Sequence, residues 1–255
     1  MPLAGIQQNR TWKRSKLQLA LIWSVIAFLL DGCGGGISSF TGGGIPPGRS
    51  AVLGQVIQAA NPTAPVPDAT VTITTSTPNG QFLSYRVYTD SNGQFSINGI
   101  PTGSVESPVT IQVQPNDTSL QSQHFSFLLA NNRPTQLVIA LLPANFNAAN
   151  VAKITITQVS NPSGNVPLYK AQVYDAQGNL LAIFPTLIVD GGVATLNTDG
   201  TFTVAGAAAN ITPQSITATV PSDNIPNPPT TTLPLSNGGK PTPDPNPVPA
   251  TSSGP

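Results

Sequence analysis

The chain has 255 residues, only 8% of them charged, with 23 glycines, 27 prolines and a single histidine. Lys, Glu, Met and Arg, which favour helices, are scarce, so the composition predicts an all-β protein rich in turns. The formal net charge is zero. Six basic and nine acidic residues follow position 33, so that part carries about −3 and lacks the basic face that a nucleic-acid partner requires.

The first 33 residues have the order of a secretory signal, with a basic start, an apolar run and then small residues. Four basic residues precede the uncharged stretch 17–30 and the sequence Asp31-Gly32-Cys33, namely Arg10, Lys13, Arg14 and Lys16. An uncleaved membrane anchor is an alternative. A helix of that stretch would span roughly 21 Å, short of a hydrocarbon core of roughly 30 Å.

Leu30-Asp31-Gly32-Cys33 resembles the lipobox of bacterial lipoproteins, although Asp31 stands where a small or apolar residue is usual. The resemblance implies cleavage before Cys33, lipidation of its thiol and attachment to a bilayer. Gly34 follows the cysteine, which implies sorting to an outer membrane or the cell surface. Cys33 is the single cysteine of the chain, so no disulfide can form within it. An anchor or a plain signal peptide over residues 1–32 stays open.

Composition divides the remainder into a linker, two folded regions and a tail. Residues 33–50 contain seven glycines and read as a flexible linker, and residues 221–255 contain eleven prolines and read as a disordered tail. The region between them is long enough for two small antiparallel β-sandwiches in tandem, over 51–146 and 150–220.

The first folded region shows short alternating strands separated by turn residues. Asn79-Gly80 predicts a two-residue hairpin between a strand at 69–75 and a strand at 82–88. The sequence from Asp90 through Asn92 and Gly93 predicts the next turn, after which Phe95 and Ile97 alternate towards the core. Residues 61–68 read as a proline-rich loop that no central strand could accommodate.

These residues carry a second resemblance. A G-x-V start at Gly54, the strand 67–73 and the run from Thr89 through Gly99 to Gly103 resemble the carboxypeptidase regulatory-like domain. The resemblance covers roughly residues 50–143 and implies an antiparallel transthyretin-like sandwich of about seven strands. It makes Gly99 and Gly103 turn residues of that fold.

The second region resembles a bacterial immunoglobulin-like domain. The resemblance rests on the runs 170–179, 192–204 and 215–220, with a turn at Asp199-Gly200. Such domains are Greek-key sandwiches of surface adhesins that often serve as spacers. The tryptophan that many members carry near position 187 is missing here.

The inventory of catalytic groups is small, and the sequence predicts neither an enzyme, a metal site nor a cofactor. His124 is the only histidine and Glu106 the only glutamate, and His124 alternates with aromatic residues so that it points to solvent. An EF-hand calcium loop starting at Asp90 fails because Pro101 occupies its twelfth position. Turn chemistry explains the aspartates that precede glycines, namely Asp90, Asp175, Asp190 and Asp199.

The expected function is that of a non-catalytic lipoprotein, anchored through Cys33, that acts as a structural, adhesive or protein-interaction module of the cell envelope. The alternative is a carbohydrate-binding protein or an accessory subunit of an envelope machine. Sugar rings stack on aromatic faces, but both tryptophans, Trp12 and Trp23, lie in the signal segment. A partner protein is therefore favoured over a polysaccharide.

Overall fold

The computed structural model describes residues 45–77, 79–104, 106–160, 166–208, 210–222, 227–236 and 240–241. Within this part the chain is all-β, with one short 3-10 turn at Ala148–Asn150. The strands fall into three sheets of eight, five and four strands. We call them the long sheet, the five-stranded sheet and the four-stranded sheet.

The long sheet has the order β17-β16-β15-β12-β8-β1-β2, and β5 also pairs with β1. All of its pairs are antiparallel except β1 with β8, which run parallel. Its strands are β1 (Arg49–Gln58), β2 (Asn61–Pro65), β5 (Gln94–Pro101), β8 (Thr135–Leu141), β12 (Thr186–Asp190), β15 (Ser215–Thr219), β16 (Thr230–Ser236) and β17 (Lys240–Pro241).

The four-stranded sheet has the order β4-β3-β6-β7, with every pair antiparallel. Its strands are β3 (Thr70–Ser76), β4 (Phe82–Tyr88), β6 (Ser107–Gln114) and β7 (Gln123–Leu129). Buried and exposed positions alternate strictly along β7, as expected of a sheet with one solvated face.

The five-stranded sheet is also antiparallel, and β10 lies between β9 on one side and β11 and β14 on the other, with β13 beyond β14. Its strands are β9 (Lys153–Val159), β10 (Leu168–Tyr174), β11 (Leu180–Leu181), β13 (Gly192–Leu196) and β14 (Thr201–Gly206).

Two hydrophobic cores form on opposite faces of the long sheet, and β8 contributes to both. All seven residues of β8 are buried. Leu137, Ile139 and Leu141 face the first core, which the four-stranded sheet covers. Val138 and Ala140 face the second core, which the five-stranded sheet covers. Because successive side chains of a strand point to opposite faces, one strand can supply both cores.

The all-β class with antiparallel sheets is confirmed, and the structure adds how the two sandwiches are joined. β12 belongs to the predicted second region, yet it pairs directly with β8 of the first, with Leu187 opposite Val138 and Asp190 opposite Thr135. The two cores therefore share one continuous sheet. The domain boundaries at 146 and 150 stay predictions.

Two stretches predicted to lack strands form edge strands instead. The proline-rich segment 61–68 was predicted as a loop, but Asn61–Pro65 pairs with the end of β1. Part of the predicted tail forms β16, because its alternating Leu233 and Leu235 pack against the second core. At the other end, β1 begins at Arg49, inside the predicted linker.

Candidate interaction surface

The exposed large apolar side chains of the described residues concentrate on one face. Of the five, three lie on the outer face of the four-stranded sheet. Phe82 and Tyr88 are on β4, with 81% and 62% of their surface exposed, and Leu128 is on β7. The other two, Val166 and Leu180, lie elsewhere. Exposed apolar groups that share one face indicate an interaction surface, and we call this one the outer face.

Hydroxyl and amide side chains fill the outer face between its two edge strands. Cross-strand register places Thr74 between Ser84 and Thr110, and Thr110 in turn lies 2.9 Å from Ser126, hydroxyl to hydroxyl. Among the alternating positions that make up this face, only Arg86 carries a formal charge. The surface is therefore polar, nearly neutral and bounded by apolar groups.

Arg86 and Tyr88 contact each other at the β4 edge of this face. The Arg86 guanidinium carbon lies 5.6 Å from the centroid of the Tyr88 ring, which is a cation–π contact. Tyr85 points the other way and packs against the first core. Tyr85 and Tyr88 therefore occupy opposite faces of their strand.

The outer edge of β4 presents main-chain groups to solvent. The Thr77 N–H donates to the Gln81 carbonyl (2.8 Å), and the Thr89 N–H donates to the Ala69 carbonyl (3.0 Å). These bonds fix the odd-numbered residues of β4 as those that bond to β3. In an antiparallel strand the intervening residues point their N–H and C=O groups away. They are Phe82, Ser84, Arg86 and Tyr88, and no strand of the described chain pairs with this edge.

A groove of about 760 Å³ lies along the opposite edge strand, β7. Residues of β7 line one side of it, and residues of the long sheet line the other. Phe127 and Leu128 form one side, and Ile188 and Thr217 are among the long-sheet residues that line it. Glu106 also lines it, as it does an adjoining pocket of about 600 Å³.

An ion pair lies where these two cavities meet: Arg133 lines the smaller one and Asp190 lines the groove. The Arg133 Nε and Nη2 atoms donate to the two carboxylate oxygens of Asp190 at 2.7 and 2.8 Å. The bond to Asp190 raises the pKa of Arg133 above its usual value. Asp190 was predicted as a turn residue, whereas it is the last residue of β12 and its carboxylate binds an arginine. The pair links the loop before β8 to the end of β12.

His124 lies on β7 with its side chain exposed, as the alternation predicts. No group of three or more His, Cys, Asp or Glu side chains that could hold a metal ion occurs among the residues the structure describes. The Asp90 Oδ1 atom accepts hydrogen bonds from the Asn92 and Gln94 amides at 2.9 and 2.8 Å. That carboxylate therefore closes its own turn.

The predicted turn glycines adopt the left-handed conformation that favours glycine. Their φ angles lie between 66° and 78°, at Gly80, Gly93, Gly99, Gly103 and Gly200. A Cβ added at Gly93 would lie 2.3 Å from the Val56 carbonyl oxygen. Both the backbone conformation and this steric overlap therefore require glycine at position 93.

Two of these predictions need correction in detail. The hairpin at Asn79-Gly80 closes with the bond between Thr77 and Gln81, so three residues lie inside the closing pair where a two-residue turn was predicted. The Gly80 N–H bonds back to the Thr77 carbonyl at 2.8 Å. Gly99 lies in a β-bulge of β5, where the register against β1 shifts between Ser50 and Ala51.

Asp199 caps its turn by accepting hydrogen bonds from the Thr201 N–H and hydroxyl.

Cys33, the predicted lipidation site, lies outside the described residues. Within the described part, no helix has the length and apolar character needed to cross a membrane.

Sequence reasoning missed the edge of β4 and the Arg133 ion pair. The alternation that buries Leu83, Tyr85 and Val87 also predicts that Phe82 is exposed, and this was the available signal for the outer face. No local signal connects Arg133 with Asp190, because 57 residues separate them.

Comparison with protein-family models and with curated proteins found no match. Among solved structures, the chain is similar to the Bacillus anthracis TIE protein, at 15% identity and a TM-score of 0.30, over 75% of this chain and 32% of that one. It is also similar to a tetra-tandem repeat in the extending region of a large adhesion protein, at 13% identity and a TM-score of 0.19, over 75% of this chain and 49% of that one. The chain therefore spans a third to a half of these structures, and likeness at these scores carries no argument about fold or function.

Proposed function

We propose that this protein is a non-enzymatic lipoprotein of the cell envelope whose β-scaffold presents the outer face to a partner protein. The observation that carries the proposal is that three exposed large apolar side chains, Phe82, Tyr88 and Leu128, lie on the edges of a single polar face. The anchor is Cys33, which would hold the scaffold at a bilayer as an outer-membrane or surface protein.

The scaffold supports a structural role because its parts are held in fixed relation. The two cores share the long sheet, and the buried Gln136 side chain of β8 bonds to both the N–H and the carbonyl of Ala194 on β13. A rigid element of this kind can hold the outer face in one fixed shape for a partner.

We further infer that the first core belongs to a carboxypeptidase regulatory-like sandwich and the second to an immunoglobulin-like sandwich. The run from Asp90 to Gly103 supports the first assignment, because it turns at Gly93 and then buries Phe95 and Ile97 in the first core.

The anchor is tested by growing cells that express the chain with labelled palmitate. Wild type should incorporate label and sediment with membranes, whereas Cys33→Ser should do neither. Equal label in the two proteins would refute lipidation at this residue.

The interaction surface is tested by presenting the purified full chain to arrays of envelope glycans and to envelope protein extracts. We expect saturable protein binding that is lost in the double variant Phe82→Ser, Tyr88→Ser. Ser126→Ala, on the same face but without an exposed apolar group, is the matched control. Saturable glycan binding that depends on Tyr88 would favour the carbohydrate-binding alternative instead.

A further inference from the structure

We propose that the edge of β4 pairs with β4 of a second copy of this chain, so that the two four-stranded sheets join into one eight-stranded sheet. This deepens the proposed function and rests on it, because it assigns a second copy of the chain as the partner protein at the β4 edge of the outer face.

The contrast between sheet edges supports this choice. Natural proteins protect exposed edges with proline, with charged side chains, especially lysine, or with bulges. The edge strands of the long sheet have such features: Pro62 and Pro65 in β2, Pro241 in β17, and the bulge at Gly99 in β5. β4 has the sequence FLSYRVY, with no proline, lysine or bulge, and its one charged side chain, Arg86, lies over Tyr88 of the same strand. It therefore leaves a full strand length open to pairing.

The other edge of the same sheet is less accessible. β7 overhangs the long sheet, and Ile188 and Thr217 line the groove beside it. A strand that approached β7 would have to enter this groove.

The pattern along β4 is complementary to itself about a two-fold axis. In an antiparallel pair centred on Tyr85, Phe82 lies opposite Tyr88 of the second copy and Ser84 lies opposite Arg86. These residues are the ones whose N–H and C=O groups point outward, so the register gives about eight main-chain hydrogen bonds. A contact of this kind is isologous and closes as a dimer.

The side chains fit this register. Each exposed Phe82 ring would meet a Tyr88 ring on the same face, a cross-strand aromatic pair that stabilises antiparallel sheets. Arg86 lies over its own Tyr88, which draws its charge away from the axis. The two copies of Arg86 would therefore not face each other directly.

Thiol cross-linking in membranes tests the proposal. Ser84→Cys places two thiol-bearing residues about 9 Å apart across the axis, by strand geometry. Ser126→Cys is the matched control, since it is exposed on the same face but would lie about 34 Å from its copy. The unmodified chain measures the background from Cys33. We expect a short bismaleimide to cross-link Ser84→Cys but not Ser126→Cys.

Adding Phe82→Lys to Ser84→Cys should lower the cross-linked fraction about tenfold, since both aromatic pairs are lost. Its far-UV circular dichroism spectrum should match that of Ser84→Cys, because position 82 is exposed in the single chain. Absence of the Ser84→Cys product, its persistence with Phe82→Lys, or an equal Ser126→Cys product would overturn the proposal. Membrane fractionation and palmitate label of the same samples score the anchor separately, so failure of pairing and failure of the proposed function are distinguishable.

Discussion

Asp175 closes the turn between β10 and β11 with its own carboxylate. Oδ1 accepts from the Gln177 and Asn179 amides at 2.9 and 2.8 Å, and Oδ2 accepts from the Asn179 side chain at 2.9 Å. The Asn179 bonds are the main cause that lowers the pKa of Asp175 below its ordinary value of 3.8. The ionised form therefore stabilises the folded chain.

We predict that Asp175→Ala lowers the melting temperature at neutral pH. A lowered pKa in the folded state contributes stability above the unfolded pKa, and this is lost as the pH falls through the folded-state pKa. The gap between wild type and variant should thus shrink below about pH 3.8. Calorimetry from pH 2 to pH 7 measures it, and a gap independent of pH would contradict this role.

Arg133 and Asp190 should depend on each other for their contribution to stability. Their bidentate pair is only partly exposed, at 33% and 21% of the side-chain surfaces. We therefore expect a coupling energy of about 1–2 kcal/mol, between the values for exposed and for buried pairs. Urea unfolding of Arg133→Met, Asp190→Asn and the double variant gives this energy. Additive effects of the two substitutions would show that the pair contributes nothing.

At the residue scale, the sequence predicts the role of a side chain when its bonding partners are close in the chain. It does not predict the role when the partner is distant in sequence. Asp90, Asp175 and Asp199 each precede a glycine within three residues, and all three cap turns. Asp190 shares that local pattern, yet its partner is brought to it only by the pairing of β8 with β12.

Gly54 leaves room for the ring of Phe95 on the neighbouring strand β5. It lies opposite Phe95, and a Cβ added to it would lie 2.1 Å from the Phe95 ring. We predict that Gly54→Ala lowers the free energy of unfolding by about 1–3 kcal/mol, because the ring must leave its place in the first core. Urea unfolding measures this change.

Phe95→Leu added to Gly54→Ala serves as its control. The smaller side chain should make room for the new methyl group, so the double variant should be more stable than the sum of the two single effects implies. A Gly54→Ala protein as stable as wild type would contradict the packing of Phe95 over this glycine.

Strand positions were readable from alternation, but strand partners were not. The run 137–142 is continuously apolar, a pattern typical of a strand covered on both faces, but the pattern does not say which strands cover it. The prolines around β16 favoured a disordered tail, although Leu233 and Leu235 alternate as in any half-buried strand. In both cases the missing information is the identity of the distant strands that pair with the segment.

The whole molecule is organised by the long sheet, since each core has this sheet as one wall. Nothing in the local sequence predicts that β12 joins β8, because the pairing links segments on either side of a predicted domain boundary. The two cores should therefore unfold cooperatively. Loss of one core removes the partner strands that hold β8 in place, and β8 also contributes to the other core.

Amide hydrogen exchange of Leu187→Ala tests this organisation most directly. Leu187 is fully buried in the second core, and its truncation should cost about 2–5 kcal/mol. If the cores unfold together, the amides of Ile73 and Ile111, in the first core, should lose the same protection as those of Tyr169 and Val173. Wild-type exchange at Ile73 and Ile111, with faster exchange confined to the second core, would contradict a shared sheet that couples the two.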